Sequence, residues 1–554
     1  VARRLLRSSD PADATASTPE SAADAATPGR RRALAHLPFA LLVCAGVLLR
    51  LATQLGFRPA FAWPDSVDYL RTARTLVPDT LRPSGYALFL RLVPHWQQLW
   101  PVTLVQHVIG VALAVLLYAL LLRRRVPAWG AALATAPVLV DPWQVTLEHQ
   151  VLSDVLFEAL VLAACVLLVW RRRVGVATTA CAGVLLGAAT TVRSVGIILF
   201  VPAALAVLLG QARWRPALAL VAAFVVPIGS YTIWYHAAHG AYSLSDAQYK
   251  QVYGRVATYV DCTGLTMPAY ERPLCPVRTS GARPGPGYFV WNRHSPLARF
   301  SPPPGKTLNG VLKDFERRAI THQPVAYAGT VAFDIARGFW PTRFRDAYGV
   351  MKPHLDSHVA RTYSVQLRTS PRLTEPLRSY GRHFFFPGPL LAGCLLAGFA
   401  AAAGLGRARR SGLRSAAGLF AGTLLGLVVL SAAAVQFSWR YQLPQLVLLP
   451  PAAAFGLVGM LRRTPDPDAL DGREVALRLT ARLPMPAALR DALLGEHRKR
   501  MGRYFLGSVI CTVISTVTFL VAFGFGLLGS RGASLASSAT GAVAGYYLNR
   551  NWAW

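Results

Sequence analysis

The sequence predicts an all-α polytopic membrane protein, and three observations carry that prediction. Apolar residues make up 53% of the 554 and charged residues only 15%, whereas a soluble globular domain carries roughly a quarter charged residues. Apolar runs of about 20 residues, the length of a membrane-crossing helix, recur along the chain. The short polar connections between them are basic at every second position: Arg123-Arg124-Arg125, Arg171-Arg172-Arg173, Arg213 with Arg215, Arg407 with Arg409 and Arg410, and Arg462-Arg463. A net charge of +32 would point to nucleic acid in a soluble protein. Here the arginines cluster directly after apolar runs, as the positive-inside rule requires, so no nucleic-acid partner is expected.

Taken in order, residues 1–33 are rich in Ala, Ser, Thr, Pro and Asp, a composition that cannot bury a core and predicts disorder. No signal-peptide layout precedes the first apolar run, which is long enough to span. Arg30-Arg31-Arg32 places the N-terminus in the cytoplasm. A helical membrane domain of about ten spans then covers 34–460. The spans fall near 34–56, 101–122, 128–141 and 151–170, then two around Arg193, then 216–236, 384–404, one ending at Gln436, and 443–460.

Between spans seven and eight lies a loop region, 237–383, far longer than an ordinary connection. Under this orientation it is extracytoplasmic. Its middle is turn-rich (Pro284-Gly285-Pro286-Gly287, Pro302-Pro303-Pro304). From 308 to 339 the apolar residues Leu308, Val311, Leu312, Phe315 and Ile320 recur at helical spacing and predict short helices over the membrane domain. The region serves either as a structural cap or in substrate binding. Cys262 and Cys275 share it, and an extracytoplasmic location favours a disulfide between them. The other five cysteines sit in apolar runs as small hydrophobes. A cytoplasmic linker, 461–502, leads to two last spans, 503–528 and 533–548. The reading is a multi-pass plasma-membrane protein with both termini inside.

The stretch most loaded with chemistry is 57–95. Asp65 and Asp68 stand beside Trp63 and Tyr69, and Arg82-Pro83-Ser84-Gly85-Tyr86 follows. Charge beside a membrane span is costly unless water or a ligand meets it. This arrangement resembles the GT-C class of glycosyltransferases, integral-membrane enzymes that use polyprenyl-phosphate sugars. The resemblance covers roughly 34–460. It rests on Pro64-Asp65-Ser66-Val67-Asp68-Tyr69, on the turn from Arg82 to Tyr86, on Thr190-Thr191-Val192-Arg193, and on Arg440-Tyr441-Gln442-Leu443-Pro444 opening a late span. The Arg- and Ala-rich style is that of a high-GC actinobacterium, where such enzymes build cell-envelope glycans. Many members carry Asp-Glu where Asp65-Ser66 stands, so a divalent metal lacks that carboxylate pair here. No other ligand motif offers one: no cofactor is certain, and a divalent metal stays an option without a motif behind it. The tail resembles half of a four-span GtrA-like module, through Arg503-Tyr504-Phe505-Leu506-Gly507-Ser508 and Tyr547-Leu548-Asn549-Arg550-Asn551-Trp552. A partner chain or self-association would complete it.

The resemblance implies transfer of a sugar from a polyprenyl (decaprenyl) phosphate to a glycan, lipid or protein acceptor on the outer face. A positioned carboxylate would deprotonate the acceptor hydroxyl. Asp65 is the candidate base, against the alternative of a cap on a helix from Ser66 to Leu76. Asp68 lies three residues on, on the same face of a helix, and is the accessory acid or a solvated one. Arginine's planar fork suits phosphate oxygens. Arg82 leads that assignment, with Arg193 and Arg440 as further substrate-binding candidates or as residues snorkelling to the interface. Tyr86 and Tyr441, beside them in sequence, join the binding set. Glu148 and His149 line the acceptor side or supply interface polarity. A flippase for the same lipid-linked sugars is the rival function, but no internal repeat of the kind transporters carry is visible. Nucleotide-binding and hydrolase motifs are absent from the sequence.

Overall fold

The computed structural model describes residues 28–211, 213–277, 283–342, 349–462 and 530–548, with isolated helical positions between 504 and 518. Residues 1–27, nearly all of the expected linker and most of the span expected at 503–528 lie outside the described residues.

The described residues are mostly helical. Helix α1 (Pro28–Gly56) begins inside the stretch expected to lack structure and runs into β1 (Phe57–Arg58). Two short helices follow, α2 (Pro64–Thr75) and α3 (Gly85–Leu92), then α4 (Trp100–Arg123), α5 (Ala128–Val140), α6 (Pro142–Glu148), α7 (Asp154–Trp170), α8 (Val176–Val192), α9 (Phe200–Gln211) and α10 (Trp214–His239). The loop region contributes α11 (Gln248–Val256), α12 (Pro286–Trp291), α13 (Leu308–His322), α14 (Pro324–Arg337), α15 (Ser357–Thr362), β2 (Arg368–Thr369) and α16 (Pro371–His383). Helices α17 (Gly388–Ala402), α18 (Arg414–Ala434) and α19 (Pro444–Leu461) complete the body, and α20 (Ser530–Leu548) stands in the tail.

Each of the ten expected spans has a helical counterpart, but length separates them. Five helices among the described residues are long and apolar enough to cross a membrane: Leu34–Gly56, Trp100–Arg123, Trp214–His239, Arg414–Ala434 and Pro444–Leu461. Helices α16 and α17, bent by 58° at their junction, make a sixth if counted as one. Apolar helices α5, α8 and the stretch Ser194–Gly210 are shorter, at 10–17 residues. Their ends have local causes. Pro142 cannot continue α5, and at Arg193 the backbone turns extended (φ −146°, ψ 122°) before a 3-10 stretch, Ser194–Ile198.

One large apolar core runs through α2 to α10 and α17 to α19, and its outer helix faces carry exposed Leu, Val and Ile, as a lipid-facing surface does. The loop region has a second core around Tyr253, Phe289, Leu312 and Phe315, flanked by a Cys262–Cys275 disulfide. The expected short helices over 308–339 are present as α13 and α14. This region is tied to the body at one end of α18. Tyr327 Oη donates to the Ala433 carbonyl (3.2 Å), the Gly287 amide to Gln436 Oε1 (3.0 Å), and the Phe437 amide to Asp334 Oδ2 (2.9 Å). A strap near 350–369 returns over the first connection. There β1 pairs antiparallel with β2, the Ala62 amide donates to the His354 carbonyl, and the Asp356 amide donates to the Ala62 carbonyl (2.9 Å each).

Helices α8 and α10 pack at backbone contact. A Cβ on Gly187 would lie 2.3 Å from the Phe224 carbonyl oxygen. Gly187→Val should therefore lower the melting temperature of the detergent-solubilised protein, since overpacking costs about 1–3 kcal/mol. Gly229→Ala on α10, with open space around it, should hold stability or gain up to about 1 kcal/mol from helix propensity. Equal melting of the two variants would contradict the close α8–α10 contact.

Candidate functional site

The site starts with how α2 begins. Pro64 occupies its first turn, where a missing N–H costs nothing. The Trp63 amide donates to Ser66 Oγ (3.0 Å). Ser66 thus does the capping that Asp65 was an alternative candidate for, and the Asp65 carboxylate is directed elsewhere. With Asp68 one turn on, it shares a helix face, and a single side chain meets both. Arg82 Nη2 donates to Asp65 Oδ1 (2.6 Å) while its other terminal nitrogen reaches Asp68 Oδ2.

The position of Arg82 is set by the turn that carries it. Asp79 Oδ1 accepts from the amides of Leu81 (2.8 Å) and Arg82 (3.0 Å), and Ser84 Oγ accepts from the Asp79 amide (2.9 Å). Gly85 then lets the chain press on the end of α8: a Cβ there would lie 2.7 Å from the Thr191 oxygen atoms. This contact brings the turn to the segment that ends in Arg193.

Arg440 arrives from the connection between α18 and α19. Its Nη1 donates to Asp65 Oδ2 (2.5 Å) and its Nε to Asp154 Oδ2 (2.8 Å). Asp154, the first residue of α7, also binds Arg193, whose guanidinium lies 5.1 Å from the Tyr441 ring centroid and 5.7 Å from that of Phe157. At the other end Arg71 joins Asp68 (3.0 Å) to Asp79. The result is one alternating row of ions: Asp79, Arg71, Asp68, Arg82, Asp65, Arg440, Asp154, Arg193. Four acids and four arginines balance in charge. Exposure varies along the row: the Arg71 side chain is 57% exposed and Asp65 17%, whereas Asp79 and Arg440 are each at 4%.

Asp65 sits at the centre of this row and is held on both oxygens. Burial pushes its pKa up, but the Arg440 and Arg82 charges outweigh it and hold it at about 2, below the usual 3.8. Asp68 goes the other way. Burial raises its pKa, and the neighbouring Asp79 carboxylate adds to the rise against the pull of Arg82. Two adjacent acids in one turn are thus driven apart in basicity. Both Asp65 oxygens face guanidinium groups, so these residues form a cation-carboxylate lattice.

The remaining expected residues divide. Tyr86 is fully buried, its hydroxyl donating to Gln106 Oε1 (2.8 Å) and its ring 5.0 Å from Tyr69, so it backs the row from behind. Glu148 and His149 are not brought to it. Glu148 Oε1 accepts from Arg50 (2.6 Å) and Oε2 pairs with His107 Nδ1 (2.9 Å); His107 Nε2 meets His149 Nδ1 (3.2 Å), and His149 Nε2 meets the Phe57 carbonyl (2.5 Å). Arg50 also donates to the Val138 and Leu139 carbonyls (2.9 and 2.8 Å), which the end of α5 leaves without helical donors. All of these groups are buried. The acceptor-lining expectation for Glu148 and His149 is replaced by a structural one.

Sequence reading passed over Arg50, Asp79 and Glu158, and it left Asp154 without a role. The signal was there for three of them: a bare Arg at 50 and acids at 154 and 158 within apolar runs are costly unless partnered. Asp79 had no such signal, because an acid in a polar turn is ordinary.

Two outcomes follow. A folded-state pKa below the unfolded one means that Asp65 stabilises the fold above about pH 4, and that this contribution is lost as pH falls toward 2. It amounts to about 2 kcal/mol, so the stability gap between the wild type and Asp65→Asn should close between pH 4 and 2. Glu148→Gln should cost about 3–5 kcal/mol by leaving Arg50 buried and unpaired, with Arg50→Met added to it restoring part of the loss in melting temperature. A Glu148→Gln variant as stable as wild type would return Glu148 to the list of ligand-binding candidates. No family model, curated protein or solved structure matches the chain.

Proposed function

We propose that this protein is a membrane glycosyltransferase of the GT-C type, with about ten spans and a partial GtrA-like tail. In this reading it moves a sugar from a polyprenyl-phosphate donor to an envelope glycan, lipid or protein at the outer membrane face. The observation that carries the reading is Asp65 clasped between Arg82 and Arg440. Those two guanidiniums come from segments more than 350 residues apart, and between them lies an anion-sized position which a carboxylate holds in the resting protein. A phosphate diester offers the same forks more oxygen atoms and a similar charge.

The chemistry then follows from displacement. With donor phosphate drawn to Arg82 and Arg440, Asp65 loses the two charges that suppress its basicity. Burial remains, and burial raises a carboxylate pKa. Asp65 thus becomes a competent base only when the donor is in place. It accepts the proton of the acceptor hydroxyl, the acceptor oxygen bonds to the sugar's anomeric carbon, and the carbon–oxygen bond to phosphate breaks. Polyprenyl phosphate leaves with its charge held by the arginines, and a single displacement inverts the anomeric centre. Asp154, bonded to both Arg440 and Arg193, keeps the inner arginines aimed.

A transfer assay over a panel of decaprenyl-phosphate sugars tests the reading. Asp65→Asn should lower transfer at least about a thousandfold while donor binding persists, a loss at the upper range for a general base. Arg82→Ala should raise the donor KM about tenfold or more, in line with loss of a charged hydrogen bond. Near-normal transfer by Asp65→Asn would remove it as the base, and unchanged donor affinity in Arg82→Ala would remove the phosphate assignment.

A further inference from the structure

One aromatic side chain beside the ion row is open to solvent. Tyr69 and Tyr86 are buried, but Trp291, the last residue of α12, is 51% exposed, and Arg82 Cζ lies 5.7 Å from its ring centroid. A large apolar face left in water is unfavourable, and this one is held in place. Phe289 of the same helix is buried in the loop-region core, and Val290 lies against Gly254 of α11. The Gly287 amide is bonded to Gln436 Oε1 (3.0 Å), in the segment that also carries Arg440. Helix α12 is therefore pinned both to the loop-region core and to the arginine-bearing connection, and the indole is presented on a fixed support.

We propose that Trp291 is the platform for the donor's sugar ring. The inference rests on Arg82 as a phosphate ligand. A sugar attached to a phosphate held there lies within one ring's width of the guanidinium, the distance at which the indole stands. One face of a pyranose or furanose carries mostly C–H bonds, whose positive polarisation suits the negative π face of an indole. The stack adds apolar contact without demanding a particular hydroxyl pattern, so Trp291 selects for the presence of a sugar ring more than for its identity. It also assigns the loop region a part in substrate binding beyond that of a cap.

The test compares a ligand with and without its sugar. Binding of farnesyl phosphate and of farnesyl-phosphoryl pentose and hexose is measured for wild type, Trp291→Ala, Trp291→Phe and Arg82→Ala in nanodiscs. Trp291→Ala should weaken the two sugar-bearing ligands about tenfold, equivalent to 1.4 kcal/mol, and leave farnesyl phosphate unchanged; Trp291→Phe should keep most of the affinity. An equal loss for all three ligands would mark Trp291 as a lipid or interface contact, or as a support for Arg82, and would overturn the proposal. So would no change in any of them. Arg82→Ala should weaken all three ligands alike. If it weakens none, the phosphate reading itself falls, a result separable from the Trp291 arm, which contrasts sugar with no sugar. Matched melting temperatures for wild type and Trp291→Ala exclude misfolding as the cause of any loss.

Discussion

The contact on which the rest of the arrangement depends is the double clasp of Asp65 by Arg82 and Arg440. A carboxylate with so little solvent must be compensated, and an arginine nearly buried beside it must be too. Each solves the other's problem, and the solution propagates. Arg440 needs Asp154 on its second edge, and Asp154 takes Arg193; outward, Arg82 takes Asp68, and Arg71 closes on Asp79. The row joins α2, the turn before α3, the start of α7, the end of α8 and the connection between α18 and α19. These are segments that apolar packing alone would bring close without setting their register.

A second polar assembly supports the first from inside the body. Arg50 fastens α1 to the carbonyls at the end of α5 and to Glu148, and His107 links Glu148 to His149. The shortness of α5 and α6 makes those carbonyls available, and the arginine fills a need that a straight span would not create. Gln144 reaches both Glu148 and Glu158 (3.3 and 3.0 Å), and Glu158 borders the cavity formed by Asp154, Arg193 and Arg440. The two assemblies are thus neighbours within one interior.

The loop region is built as a small domain with its own core and disulfide, and it bears directly on the site. Asp334 Oδ2 accepts from both Arg255 and the amide of Phe437, which lies three residues before Arg440. Arg337 stacks over Phe437 at 4.5 Å. Such contacts hold the connection between α18 and α19 in one conformation. An arginine on a free loop would pay conformational entropy each time it met an anion; here that ordering is complete before any ligand arrives.

How much of this was legible depends on the range of the interaction. The sequence by itself determined the helical class, the places of the ten apolar helices and of α13 and α14, the long region between α10 and α17, and the pairing of Asp65 and Asp68 on one face. All of these follow from composition, apolar run length and helical spacing, which are local quantities. It also marked Arg193 and Arg440 as costly at span ends, because a bare charge next to an apolar run shows in one dimension; Arg82 stood out through the resemblance. Only the tertiary structure decided which acid answers which arginine. It matched Asp65 to Arg440 across the whole chain, gave Asp154 two arginines, and withdrew Glu148 and His149 into a separate network around Arg50. Ion pairing in a low-dielectric interior is a contest among every charge within a few ångströms, and who stands within that distance is set by helix breaks and close backbone contacts that no local pattern encodes.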